Sequence, residues 1–235
     1  MNFDLTLQLG EKIMGEGGSG YGVSDLTDIK DFPFPGLSYG VTIMLALSPE
    51  IVSGIGDGPT RTYHDEYERV NGELARTGSE TVRFLEGAGF RAVLLGPTSE
   101  QFDESTLSVP FPHKTAAIRA GVGWIGKSDL LVSEEFGSAF RMCTVLTDAP
   151  LTPGTPSTES LCGPCRACVE ACPAKAPTGR EWSAGTHRDE LVDIFACYRQ
   201  TRDFTKEMGW SHSICGICIQ ACPWTQKYIS SRSCP

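Results

Sequence analysis

Cysteine placement constrains this chain more than any other feature. Residues 162–173 read Cys162-Gly-Pro-Cys165-Arg-Ala-Cys168-Val-Glu-Ala-Cys172-Pro173, a C-x2-C-x2-C-x3-C-P run, and Cys215-Gly-Ile-Cys218-Ile-Gln-Ala-Cys222-Pro223 repeats it without the first cysteine. Two-residue loops let three thiolates converge on one iron–sulfur cubane, and the proline turns the fourth cysteine toward a second cluster. The ligand assignment read from this spacing is crossed. Cys162, Cys165, Cys168 and Cys222 hold one 4Fe–4S cluster, and Cys172, Cys197, Cys215 and Cys218 hold the other, with Cys197 supplying the thiolate that the second run lacks. Zinc and disulfides are the competing readings. Paired C-x2-C spacings also suit tetrahedral zinc, though two C-x3-C-P endings are hard to place in such a site, and disulfides need an oxidising compartment. Cys143 and Cys234 fall outside the runs and read as structural or incidental.

The rest of the sequence sets the frame. A chain of 235 residues has room for one medium domain and a small cluster domain. The N-terminal Met-Asn-Phe-Asp-Leu-Thr has neither a basic n-region nor an apolar h-region, and no apolar run reaches the roughly 18 residues of a bilayer span. Ten cysteines without an export signal therefore predict cluster ligands in a reducing cytoplasm, away from membranes. A net charge of −9 argues against nucleic acid as a partner, because phosphate backbones recruit Lys/Arg-rich surfaces.

Along the chain, Gly10, Gly15, Gly17, Gly18, Gly20 and Gly22 predict a flexible or closely approached loop. The apolar run Val41–Leu47 predicts a buried strand, and residues 51–60 a Gly/Pro-rich loop. Tyr63, Tyr67, Val70, Leu74, Val82 and Leu85 recur with a 3.6-residue period and predict the longest helix, ended by Gly87-Ala-Gly89. Strands follow at Phe90–Leu95, Leu130–Val132 and Ala139–Leu146, with a short helix at Lys114–Ala120 and another at Arg188–Cys197. Strand, long helix and strand indicate an α/β (α+β) arrangement. The Pro/Thr/Ser-rich residues 150–160 read as a linker, dividing a cofactor-binding domain at 1–150 from a cluster domain at 151–235.

A second stretch demands its own explanation. Gly121-Val-Gly123-Trp124-Ile125-Gly126-Lys127-Ser128 satisfies both G-x-G-x-x-G and G-x-x-x-x-G-K-[ST]. Both motifs require a helix opening from the loop, whereas here a helix-like segment precedes it and strand-like segments follow. Glycines around a tryptophan suit a backbone lying flat against a large planar group instead. From His113 through Leu131 the sequence resembles the A-G-L-G-W-I-G-K-x-x-L-L signature of the epoxyqueuosine reductase family, in which a double-cluster ferredoxin-like domain follows with the cysteine order seen here. The resemblance implies a nitroreductase-like domain holding cobalamin beside two 4Fe–4S clusters, in a relationship that extends to reductive dehalogenases. The cofactor-binding residues it implies are Lys114, Gly121, Gly123, Trp124, Ile125, Gly126 and Lys127, with FMN as the alternative cofactor.

Two departures qualify the match. The family's catalytic acid lies in a D-[ST]-x-P segment that aligns with Leu107-Ser108-Val109-Pro110, so the acid is replaced by Leu107, with Asp103 or Glu104 as nearby substitutes. The chain ends 13 residues after Cys222, which leaves no C-terminal RNA-binding repeat module and points to a relative of the reductase rather than the reductase itself. The expected function is a cytoplasmic iron–sulfur oxidoreductase that takes electrons from a donor protein and passes them to a corrinoid or small-molecule acceptor. A ferredoxin-like carrier without a corrinoid and an ATP-dependent reductive activator are the alternatives. His113 is a candidate proton donor or axial ligand, Tyr63 and Arg141 are candidate pocket walls, and His187 and His212 candidate donors to cluster sulfur. Trp210 and Trp224 are candidate shields of the clusters.

Overall fold

Described here are residues 4–98 and 101–232 of a computed structural model; Cys234 lies outside them. Asp4 accepts a hydrogen bond from the Thr6 N–H and so caps α1 (Leu5–Gly15). Leu9 and Ile13, one turn apart, are fully buried. The chain turns through Gly17 and enters β1 (Gly20–Asp25), which pairs antiparallel with β2 (Tyr39–Ala46), placing Gly20 opposite Met44 and Asp25 opposite Tyr39. Then come α2 (Pro49–Ser53), α3 (Arg61–Gly87), β3 (Ala92–Leu95), α4 (His113–Arg119), β4 (Trp124–Ile125), β5 (Leu131–Val132) and β6 (Phe140–Thr147). One sheet runs β1-β2-β6-β3, with β3 antiparallel to β6, and β4 and β5 form a separate small hairpin. Five further helices follow among the described residues: α5 (Ala167–Ala171), α6 (Arg188–Leu191), α7 (Ile194–Glu207), α8 (Ile217–Gln220) and α9 (Pro223–Arg232). The fold is a mixed α/β arrangement around an antiparallel sheet.

Three sequence expectations are corrected here. Residues 10–22 are not a loop: Gly10 and Gly15 belong to α1, Gly20 and Gly22 to β1. A Cβ on Gly10 would overlap the Tyr21 ring, so glycine there allows helix and strand to approach closely. The stretch 51–60 begins inside α2. Arg188–Cys197 is two helices, broken where Val192 is extended and Asp193 caps α7 by accepting from the Ala196 N–H.

By contacts the chain forms two units that do not follow chain order. One comprises Met1–Ala46, Arg69–Val122 and Arg141–Ser157, and the other Leu47–Glu68, Gly123–Phe140 and Thr158–Pro235. A single cut after residue 150 describes neither, because α3 contributes residues to both and the β4–β5 hairpin is grouped with the cysteine-rich segment. In the first unit Leu26, Leu37, Phe111, Ala116 and Leu146 form a core against which Phe32 packs, its ring edge-on to Phe111 at 5.2 Å. Most of the expected linker belongs to this unit, though its side chains are largely exposed: Leu151 is buried, Gly154 N–H donates to Val23 O and Ser157 N–H to Ile118 O. Its Pro-rich composition makes it an extended strap rather than a tether. In the second unit the Tyr228 hydroxyl donates to Leu47 O at 2.9 Å and its ring meets Phe136 edge-on, while Thr225 Oγ1 accepts from the Ser138 N–H. The α3 stripe forms as expected at Tyr63, Val70, Leu74 and Leu85, which are buried.

Candidate iron–sulfur centre

Cys168 lies in α5 and Cys218 in α8, each following a short turn that carries the preceding cysteines of its run. In the second turn Gly216 adopts φ +88°, with Ile55 and Tyr63 packed where a side chain would stand. Cys162, Cys165, Cys168 and Cys222 line a cavity of about 200 Å3 together with Gly126, Lys127, Ser128, Val132, Pro223 and Trp224. Burial pushes the Cys168 thiol up to about 11, reinforced by the charges of Cys162, Cys222 and Cys165. A second group is read from Cys197, which burial raises to about 11 with Cys172, Cys215, Asp129 and Asp193 adding to the effect. Burial also raises Cys218, ahead of the charges of Cys215, Cys197, Cys168 and Cys172. The four cysteines assigned to the first set share one cavity, while Cys218 feels Cys168 of that set as well as Cys215, Cys197 and Cys172.

Such gatherings are unfavourable for bare thiolates, and metal binding reverses the balance by displacing their protons. Among the described residues no three Cys, His, Asp or Glu side chains converge tightly enough for a single ion, which is the spacing tetrahedral zinc requires. The nine described cysteines are free of disulfides. Backbone N–H groups point at the sulfurs: Ile217 toward Cys215, Thr225 and Trp224 toward Cys222, and Ala176 toward Cys172 at 3.4 Å. These donors favour the anionic ligand and tune a metal bound to it.

The glycine loop has a different character. It is entered from α4 and leads into the β4–β5 hairpin, so no helix opens from it and neither phosphate motif has its physical basis. Gly121 has φ +70°, and the Thr155 carbonyl oxygen occupies the place of its missing side chain. The Val132 carbonyl does the same at Gly123, and at Gly126 a Cβ would lie 2.9 Å from Val132 Cγ2 and 3.7 Å from Cys162 Sγ. Trp124 and Ile125 are buried; Trp124 meets Trp224 edge-on at 5.1 Å, and its buried Nε1 finds no acceptor among the described residues. Lys127 donates to the carbonyl oxygens of Gly163 and, at 3.1 Å, Cys165. The glycines answer to the chain's own backbone, and the lysine to a cysteine-bearing turn. Lys114 lies in the first turn of α4 and is not part of that cavity's lining.

Other candidates resolve into structural roles. His113 Nε2 donates to Gly96 O, so Nδ1 accepts from the Thr144 hydroxyl, both at 2.9 Å. Burial lowers this imidazole to about 4, with the Arg141 charge acting in the same direction. A neutral ring with both nitrogens occupied is neither a proton donor nor an axial ligand. Arg141 is held by Asn71 and Pro97 O. His187 is an exposed cap of α6, and His212 pairs with Glu68 at 2.7 Å. Trp210 stacks on His64 at 4.5 Å, whereas Trp224 lines the cysteine cavity. Leu107 is buried at φ +51°. The Ser105 hydroxyl, then the backbone N–H of Ser105 and the Thr106 hydroxyl, hold the Asp103 carboxyl below its usual range, closing a local turn. Cys143 is fully buried, donates toward Leu74 O and is pushed up to about 12 by burial, which marks it as a core residue. Sequence reasoning missed Ser128, Val132 and Pro223 as cavity walls and the buried Asp129, whose charge bears on Cys197. The signal available was adjacency: Pro223 directly follows the second run, and Ser128-Asp129 the glycine loop.

Comparison with known proteins fits this geometry. Residues 161–225 match a family described as the 4Fe-4S double cluster binding domain. The epoxyqueuosine reductase of Cyclobacterium marinum is 33% identical over 129 residues, 51% of this chain and 38% of its own length. That of Listeria monocytogenes is 35% identical over 117 residues, 48% of this chain and 29% of the relative. The chain therefore spans well under half of these curated relatives. Among solved structures, an epoxyqueuosine reductase with a tRNA-Tyr stem loop superimposes with a TM-score of 0.62 at 20% identity, covering 94% of this chain and 65% of the other. The catabolic reductive dehalogenase NpRdhA with 3-bromo-4-hydroxybenzoic acid gives 0.68 at 17% identity, covering 92% and 31%. The relatives are oxidoreductases; residues 161–225 of this chain match the double 4Fe-4S cluster domain, the chain is similar in sequence to part of the epoxyqueuosine reductases, and its fold is similar to theirs and to that of reductive dehalogenases.

Proposed function

We propose that this chain moves electrons one at a time from a donor protein to an acceptor through two 4Fe–4S clusters. One would be held by Cys162, Cys165, Cys168 and Cys222, the other by Cys172, Cys197, Cys215 and Cys218. The clusters supply reversible one-electron chemistry. The protein supplies thiolates, N–H donors to sulfur, and the Val132 and Trp224 walls that limit water. The observation carrying this reading is the convergence of Cys222 with three cysteines 54 to 60 residues earlier on one cavity. Anaerobically purified protein should contain about eight irons per chain, as two such clusters require. Only zinc, or fewer than four irons after reconstitution, would overturn it.

The family resemblance also brings a corrinoid acceptor on the glycine loop, and the loop residues do not fit one. Thr155 and Val132 already fill the sides of Gly121 and Gly123, and Lys127 is engaged with the Cys162–Cys165 turn. No residue specific to FMN emerges either, and a nitroreductase-like cofactor domain rests on the resemblance alone. We therefore favour the carrier reading, in which the final acceptor belongs to another molecule; the absent acid at Leu107 supports it. Titration with cobalamin and with FMN should leave both spectra unchanged. A saturable shift with cobalamin would restore the corrinoid reading. No ATP hydrolysis is expected, because the Lys127 motif has no helix behind it. Cytoplasmic location remains an expectation; no helix among the described residues is long and apolar enough to cross a membrane.

A further inference from the structure

We infer that Lys127 is the buried countercharge of the first cluster, and that it makes this cluster the easier of the two to reduce, so that electrons run downhill from the second set of cysteines to the first. The inference rests on the cluster reading above and adds to it a residue role and a direction of flow.

Lys127 is 6% exposed, lies on the wall of the cavity formed by Cys162, Cys165, Cys168 and Cys222, and donates to Gly163 O and Cys165 O within that cysteine turn. Among the described residues no carboxylate pairs with it. An ammonium taken out of water needs an anion nearby to offset its desolvation, and the four thiolates are the anionic group its cavity offers. The carbonyl bonds fix the nitrogen against the turn, so its charge stays in place when an electron arrives. Reduction adds one negative charge and no proton, and a fixed positive charge in a water-poor cavity favours the more negative state. The second set sits in the opposite field: Asp193 caps α7 one turn before Cys197, whose N–H donates to Asp193 O at 3.1 Å, and the charge of the buried Asp129 bears on the same thiol. Two anions there disfavour the reduced state. Opposite charges beside the two sites separate their potentials without any difference in ligand type.

The test is an EPR-monitored redox titration of the reconstituted full chain with dithionite as the one-electron donor, alongside Lys127→Met, Lys127→Arg and Asp129→Asn. The Cys197→Ala chain, lacking a second-set ligand, identifies which signal belongs to which site. Lys127→Met should make the first site about tenfold harder to reduce, a shift of about 59 mV for one electron, with a much smaller change at the second. Lys127→Arg should stay near the parent. Asp129→Asn, which keeps a residue tolerant of φ +61°, should move the second site alone, toward easier reduction. If Lys127→Met sheds iron, the Asp129→Asn and Lys127→Arg results decide the matter. Unmoved potentials with about eight irons retained, or equal shifts at both sites, overturn the inference and leave the clusters standing. A parent chain that binds no iron instead overturns the cluster reading itself.

Discussion

The cysteine runs and the glycine loop are both regular spacings of small or reactive residues, yet they differ in what completes them. At Gly121 and Gly123 the chain completes itself, with carbonyl groups of Thr155 and Val132 standing where side chains would be. At the cysteines it does not: Cys162, Cys165, Cys168 and Cys222 gather on one cavity, where burial and then mutual charge push the Cys168 thiol up to about 11, so that ionising the group together requires a metal to displace the protons. A motif therefore reports a ligand when its geometry leaves a deficit, and reports folding when the deficit is already met.

The largest effect that would break this contrast lies at the cysteines. Cys222→Ala should lower bound iron from about eight to about four per chain, whereas Cys143→Ala, removing a core thiol outside both sets, should leave iron content unchanged. Equal iron in both variants would erase the distinction between the sets and the core.

Next in size is the glycine loop. Gly121→Ala meets both a left-handed φ and the Thr155 carbonyl, and should cost about 3–5 kcal/mol in denaturant unfolding. If cobalamin filled that place instead, the variant would fold normally and lose only cofactor binding.

His113 sharpens the comparison by pH. Its unfolded value is 6.5 and its folded value about 4, so between them the unfolded chain binds the extra proton. Stability is complete above pH 6.5 and falls as pH drops toward 4, by up to roughly 3 kcal/mol. Apo protein carrying His113→Gln should show a flatter stability profile across that window. The smallest effect is opposite in sign: Gly72, exposed in α3 with open space around it, should gain about 0.5–1 kcal/mol on Gly72→Ala.

Much of this was legible from residue order. The α3 stripe, the strand at Val41–Leu47 and the two cysteine runs each carry a strong local period, and local periods survive folding. Three things were not legible, for physical reasons. The α1 helix hid because Gly10 and Gly15 suppress helix propensity, although Leu9 and Ile13 kept the helical spacing. The strap at 151–157 hid because Pro, Thr and Gly read alike in a free linker and in a packed extended segment; only the partners of Gly154 and Ser157 tell them apart. Lys127 hid because a lysine after a glycine loop suggests phosphate, and its acceptors lie 36 and 38 residues away in sequence.

Ala120-Gly121 and Gly154-Thr155 cross with a glycine on each side, since a Cβ on Gly154 would overlap Ala120 O just as one on Gly121 would overlap Thr155 O. Such a crossing joins segments more than thirty residues apart and secures nothing until both are in place, so it is expected to form late in folding. Strain placed there would shorten the lifetime of the folded chain while leaving its rate of formation nearly untouched.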